Sequence, residues 1–292
     1  MRNVPFDYEN NRLSIVIATL GGDSLSKTIE LLLNESMAPS EILICIPQDH
    51  SHKVAHLADE TVKIIATQVK GQVRQRAVGF SKAIYPLVLQ LDDDILLEKD
   101  TLQRMVQYIL QLGKGNVVGP VFYGQHTHAC IHKIKTGLPA LQKNLFDSII
   151  CAAPWGLKKM GVVTSIGLNY GVDDQFCDGA LKEAQWLSGG CVLSWREDLV
   201  TDDFFPFTGK AYCEDVIHSY LRKGKKIRSW VATGIRVYID EPEPEFSKAA
   251  VDKVIKIRRY LIKLIRGPQW RLSIYELFCK IRSLLYDVPA KK

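Results

Sequence analysis

Three consecutive aspartates, Asp92-Asp93-Asp94, follow the apolar run Leu87–Leu91. On an extended backbone residues i and i+2 point the same way, so Asp92 and Asp94 are expected to converge while Asp93 points away. Two such carboxylates repel unless a cation lies between them, and hard oxygen ligands suit Mg2+ or Mn2+ held against a substrate diphosphate. A plain acidic turn ahead of a helix would use the same residues. Glu214-Asp215 opens a short helical pattern, where negative charge complements the helix dipole or where one carboxylate takes a proton from a hydroxyl. Trp186-Leu187-Ser188-Gly189-Gly190-Cys191 pairs an aromatic face with glycines that let backbone approach a sugar, and a tight turn with a core Trp fits it equally. The segment from Lys70 to Arg76 brings three cations and Gly71 to a helix start, as a phosphate contact or as a solvated helix face. His126, His128, Cys130 and His132 have a spacing that zinc could use, although no acid beside them supplies a base.

A frame must position these groups. The chain has 292 residues, 47% hydrophobic and 24% charged, which excludes disorder, collagen-like repeats and a coiled coil. Seven cysteines without a C-x-x-C argue against a disulfide framework and for reduced thiols in a cytosolic protein. The polar start from Met1 to Asn11 lacks a secretory signal's apolar core, and no apolar run reaches the ~18 residues that span a bilayer.

Apolar runs at Leu13–Ala18, Glu41–Ile46, Thr61–Ala66 and Pro86–Leu91 alternate with helical patterns after Asp23, over Gly71–Ile84 and after Asp100. This is an α/β pattern with a mainly parallel central sheet, whose ligands bind beyond the carboxyl ends of the strands. The Asp run lies at such an end. From Val117 to Gly190 the periodicity weakens, and loops shaping a second pocket are expected. Tyr212–Lys223 reads as a helix, Ile227–Ile239 as paired edge strands, and Glu241–Glu245 as a stiff acidic hinge.

The net charge of +6 is carried by the end of the chain: residues 246–292 hold 12 Lys/Arg against 3 Asp/Glu, leaving a mildly acidic body that argues against nucleic acid as a partner. Within that segment Val251, Ile255, Leu261 and Ile262, then Trp270, Ile274, Leu277, Phe278 and Ile281, follow helical spacing between basic residues. Such helices attach to an anionic membrane surface or cover the core.

The order of these pieces is similar to that of family 2 glycosyltransferases. The likeness runs over about residues 13–240, from the Ser14–Thr19 strand through Gly71–Ala83, Leu91–Leu97, Trp186–Cys191 with Arg196 nearby, and Glu214-Asp215 ahead of the helix end at Arg222–Lys225. The resemblance implies a GT-A fold over residues 1–245, with a nucleotide-binding half to about 115 and an acceptor half from 116, followed by a basic helical tail at 246–292. It implies Asp92 and Asp94 as ligands of Mn2+ or Mg2+. Thr19, Gly71, Arg76, Asp92 and Asp93 would meet a nucleotide-sugar, UDP-linked by expectation. Trp186, Gly189, Gly190 and Glu214 would meet a saccharide or lipid-linked acceptor. Asp215 would be the base of an inverting displacement at the cytosolic face of a membrane, in surface polysaccharide or glycolipid synthesis. Two departures stand out. Ile46-Pro47-Gln48-Asp49 replaces the usual acidic turn after the second strand, leaving Asp49 as the substitute reader of the nucleobase. No His follows the Glu214-Asp215 helix, so Asp240 or water would complete a metal shell. The rivals are a sugar nucleotidyltransferase of similar fold, a zinc enzyme using His126, His128 and His132, and a scaffold with a decayed site.

Overall fold

The computed structural model describes residues 12–208, 211–241 and 248–286; the polar start, most of the acidic hinge and the end of the tail lie outside the described residues. Among the described residues nine strands form a single mixed sheet: β1 (Leu13–Ala18), β2 (Glu41–Pro47), β3 (Val62–Thr67), β4 (Leu87–Leu91), β5 (Leu96–Leu97), β6 (Asn116–Gly124), β7 (Leu181–Ala184), β8 (Cys191–Trp195) and β9 (Arg228–Ile239). Their order is β3-β2-β1-β4-β8-β6-β9-β5, with β7 against β9. Strands β1 to β4 pair in parallel. Every residue of β1, β2 and β4 is buried, because helices cover both faces of this half and its strands can be apolar throughout.

Helix α1 (Ser24–Leu33) buries Leu25, Ile29 and Leu32, and α3 (Thr101–Leu112) buries Leu102, Met105, Val106 and Ile109, as their spacing demands. Helix α2 (Gln72–Lys82) lies against β1 and β2 at Gly79, where a Cβ would come within 2.6 Å of Cys45 Sγ; only glycine allows that approach. This brings Gln75 and Arg76 down onto the strand ends, while the helix stops at Lys82, short of Ile84, the end of the expected helical pattern, which is exposed.

The chain changes direction at β4. This strand is parallel to β1 but antiparallel to β8, with Leu91 opposite Cys191. The residues after β4 therefore meet the residues before β8, and the Asp92 amide donates to Gly190 O at 2.8 Å. Such a switch point is where open sheets leave a ligand crevice.

Several expectations need correction. Ile227–Ile239 is one long strand, not a pair; the neighbouring β6 shifts register between Pro120 and Val121. The weakly periodic region contains α4 (Leu138–Ile149), whose apolar residues mostly face outward. Of the two placements open to the tail, α6 takes the one that covers the core. Ile257 and Leu261 of α6 (Lys248–Leu264) are fully buried in one cluster with Val73, Trp186, Val216 and Ile217, the last two from α5 (Glu214–Gly224). Helix α7 (Gln269–Tyr286) packs on α6, where Arg259 Nε meets Glu276 Oε1 at 2.6 Å. No helix among the described residues is long and apolar enough to cross a membrane, and all seven cysteines are free thiols.

Candidate active site

Arg76 organises the site. Its Nη1 donates to Glu214 Oε1 at 2.6 Å and its Nη2 to Asp92 Oδ1, tying the acidic turn after β4, 16 positions along from Arg76, to the first residue of α5, 138 positions along from it. Burial opposes the guanidinium charge, but Glu214 and Asp92 more than offset it, and the arginine's pKa rises above its ordinary value. Gln72 Nε2 adds a second donor to Asp92 Oδ1 at 3.0 Å. The nucleotide contact expected of Arg76 is thus replaced by a structural one: both terminal nitrogens are spent on carboxylates, and the side chain is buried.

Gly189 and Gly190 close the floor. A Cβ on Gly190 would sit 3.2 Å from Asp92 Oδ2, and one on Gly189 would collide with Glu214 Oε1. Gln90, a polar residue inside the apolar β4, turns its amide to Gly189 O. Its one signal in the sequence is a glutamine interrupting a buried strand, which does not by itself mark a site. Gln75 was missed in the same way. Its Nε2 reaches Thr19 O and Cys45 O, both at 2.7 Å, and its Oε1 accepts from Gly71 N at 3.1 Å, clamping the ends of β1 and β2 to the start of α2. Gly71 itself has φ +155 at that start. Among the described residues Arg76 Nε, Gln90 Oε1 and Glu214 Oε2 are buried without a partner, so the site keeps spare donors and acceptors.

The three aspartates diverge. Residues 92–95 form a turn and not a continuation of β4, so strand alternation does not set their directions. Asp92 faces Arg76, and Asp93 accepts from Thr19 Oγ1 at the end of β1. Asp94 lies at the exposed mouth of the site. Desolvation by the surrounding protein, then Asp92, Asp93 and Asp240, push its carboxyl up to about 6. Asp93 is raised too, by burial and by Asp92. Asp240 follows β9 and lies 3.8 Å from His126 Nε2. Asp92, Asp93 and Asp240 are near enough to Asp94 to raise it by charge, but among the described residues these carboxylates do not draw together as a ligand group.

Asp215 shares its helix start with Glu214. Burial first, and Glu214 second, raise its carboxyl to about 7, partly countered by the Val216 amide at 2.8 Å and by Arg76. A carboxylate poised near neutrality has the protonation behaviour of a general base. Glu214, expected to touch an acceptor, is instead held by Arg76.

Other candidates lie elsewhere. Trp186 is 4% exposed, donates Nε1 to Tyr170 O at 2.8 Å and packs edge-on to His132, so it offers no ring face to a sugar. Asp49 is exposed after β2, and its one ion-pair neighbour is His50. The zinc set does not assemble. His126 lies beside Asp240, His128 packs against Tyr238, and His132 is half-buried, its pKa lowered to about 4 by desolvation. Among the described residues one group of metal-capable side chains comes within 4.8 Å mutually, Cys130, Asp173 and Asp174. Its oxygens already serve the structure: Tyr123 Oη and Arg236 bind Asp174, and the Ile134 amide binds Asp173 at 2.8 Å. The Cys130 thiol is raised to about 11 by burial.

Residues 14–154 match the family model described as Glycosyl transferase family 2. Among solved structures, the chain is similar to GalNAc-T7 with UDP, GalNAc and Mn2+ (TM-score 0.56, 14% identity, 84% of this chain and 48% of that one). It is similar to TarS 1-349 of S. aureus in complex with UDP-GlcNAc (0.53, 14%, 87% and 66%). It is also similar to the mannosyltransferase PcManGT from Pyrobaculum calidifontis in complex with GDP-Man and Mn2+ (0.54, 13%, 96% and 76%). At these identities the likeness is one of fold. The chain spans about half the length of the first of these and about two thirds of the second. No curated protein matches it.

Proposed function

This chain belongs to glycosyl transferase family 2 through residues 14–154, and on that premise we propose that it transfers a sugar from a nucleotide-sugar to an acceptor hydroxyl with inversion at the anomeric carbon. The observation that carries this reading is the Arg76 bridge, since one guanidinium touches both the acidic turn and the start of α5. On this reading the diphosphate wall and the base are two sides of one crevice. Thr19, Asp93 and Gly71 border the nucleotide side, and Asp49 stands nearest the nucleobase end of β2. Gly189 and Gly190 form the floor under the sugar. Asp215 takes the acceptor proton as the oxygen attacks. Glu214 is turned toward Arg76 through Oε1, and with Asp215 as the one base this reading takes the reaction as a single displacement. A divalent Mn2+ or Mg2+, when bound, would neutralise the departing diphosphate oxygens. The donor is proposed to be a UDP-sugar, and the acceptor a saccharide or lipid-linked saccharide used in surface polysaccharide or glycolipid synthesis on the cytosolic face of a membrane. A nucleotidyltransferase would want a glycine-rich phosphate loop with basic residues after β1, where this chain has Leu20-Gly21-Gly22.

The test is metal-dependent donor binding. Asp94→Ala removes the carboxylate with the least protein compensation, and Mn2+-dependent affinity for a UDP-sugar should fall at least tenfold by titration calorimetry. Affinity equal to the parent's, with and without chelator, would rule out the clamp at Asp94.

A further inference from the structure

We infer that the face built from α4, α7 and the loops flanking α4 docks on an anionic lipid surface. Leu138, Leu141, Leu145 and Ile149 recur on one side of α4, and Trp270, Ile274, Leu277, Phe278 and Ile281 on one side of α7; all are between 43% and 85% exposed. The two stripes are one surface. The Phe146 and Phe278 rings lie 4.5 Å apart, and Arg271 Nη1 donates to Ile149 O at 2.6 Å. Trp155 and Leu157 extend the surface, lining with Ile134 and Leu141 an apolar groove of about 250 Å³. A soluble monomer seldom leaves so much contiguous apolar area to water.

Charge selects the occupant. Residues 131–160 carry five lysines against one aspartate. Next to the apolar groove, and sharing Ile134, Lys135 and Asn144 with it, a pocket of about 240 Å³ is lined by Lys133, Lys135, Lys143 and Lys159. Lys143 and Lys159 share the single carboxylate of Asp147 at 3.0 and 2.9 Å, leaving the rim net positive. An apolar stripe beside a lysine rim fits acyl chains below anionic headgroups. A second copy of the chain, meeting this face symmetrically, would set like-charged rims against each other. The arrangement also moves the expected membrane contact: α6 turns its apolar face into the core, and the outward faces belong to α7 and to α4, far away in sequence. The inference stands without the transferase reading.

The test is flotation of the full chain with phosphatidylcholine vesicles, with and without phosphatidylglycerol. Binding should require phosphatidylglycerol. It should drop more than tenfold in the Leu145→Glu/Leu277→Glu pair, both exposed and so tolerant of charge, with unchanged circular-dichroism melts. Lys133→Ala and Lys135→Ala should each weaken it roughly fivefold. In the unmutated chain, brominated phosphatidylcholine mixed with phosphatidylglycerol should quench fluorescence that disappears in Trp155→Phe/Trp270→Phe. Absence of binding, binding that survives the paired Glu substitutions, or a dimer broken by Leu277→Glu without vesicle binding would each overturn the inference.

Discussion

Asp215→Asn should lower the rate of sugar transfer by about 10²–10⁴, the range a positioned general base supplies, while leaving nucleotide-sugar affinity unchanged. The amide fills the same space and cannot take a proton. In the parent enzyme kcat/KM should climb about tenfold per pH unit on the acid side and level off near pH 7, because burial and Glu214 hold the Asp215 carboxyl at about 7 and only the ionised form is a base. The same shift has a stability consequence of known sign. The folded pKa lies above the ordinary value of 3.8, so the group favours the fold while protonated, and that contribution is lost as the pH rises through about 7. The Asn variant should therefore melt several degrees higher than the parent at pH 8, the gap closing toward pH 4. A variant that turns over normally, or one that melts lower at pH 8, would remove Asp215 from the base role. Stability given up at a poised acid is the trade expected where function opposes stability.

Arg76→Met should cost about 3–5 kcal/mol of stability and abolish transfer, because it leaves Asp92 and Glu214 facing one another in a buried site with no cation between them. Arg76→Lys should recover part of the stability and little of the activity, since one ammonium cannot reproduce the fork that meets Asp92 and Glu214 at separate nitrogens. Adding Glu214→Gln to Arg76→Met should restore stability by more than the sum of the single effects, while transfer stays absent. Thermal and urea denaturation with parallel turnover assays check the set. A stability change of Arg76→Met within ~0.5 kcal/mol would place the guanidinium in a solvated, unstructured role.

Much of the frame could be read along the chain, because buried parallel strands write themselves as uninterrupted apolar runs: Leu13–Ala18 and Leu87–Leu91 need no partner to be recognised. Amphipathic helices that face inward, such as α3, are equally legible. Helix α4 was not, since its apolar residues point outward and hydropathy alone cannot separate a docking face from a core face. Side-chain partnership was the least legible layer. Nothing near Arg76 announces that it will be buried between carboxylates 16 and 138 positions away, so a phosphate contact was the natural expectation. Trp186 offers no sugar platform for a related reason: it is buried in one cluster with Val73, Val216 and, from the tail, Ile257 and Leu261, all distant in sequence. Alternation misled at Asp92–Asp94 because the strand ends at Leu91, and a turn obeys no period of two.

A crystal structure with Mn2+ and a non-hydrolysable nucleotide-sugar tests the shared crevice most directly. The ion should lie between the diphosphate and Asp94, with the anomeric carbon between that ion and the Asp215 carboxylate. An ion held elsewhere, or an Asp215 that opens onto a different cavity from the bound sugar, would contradict the single-crevice mechanism.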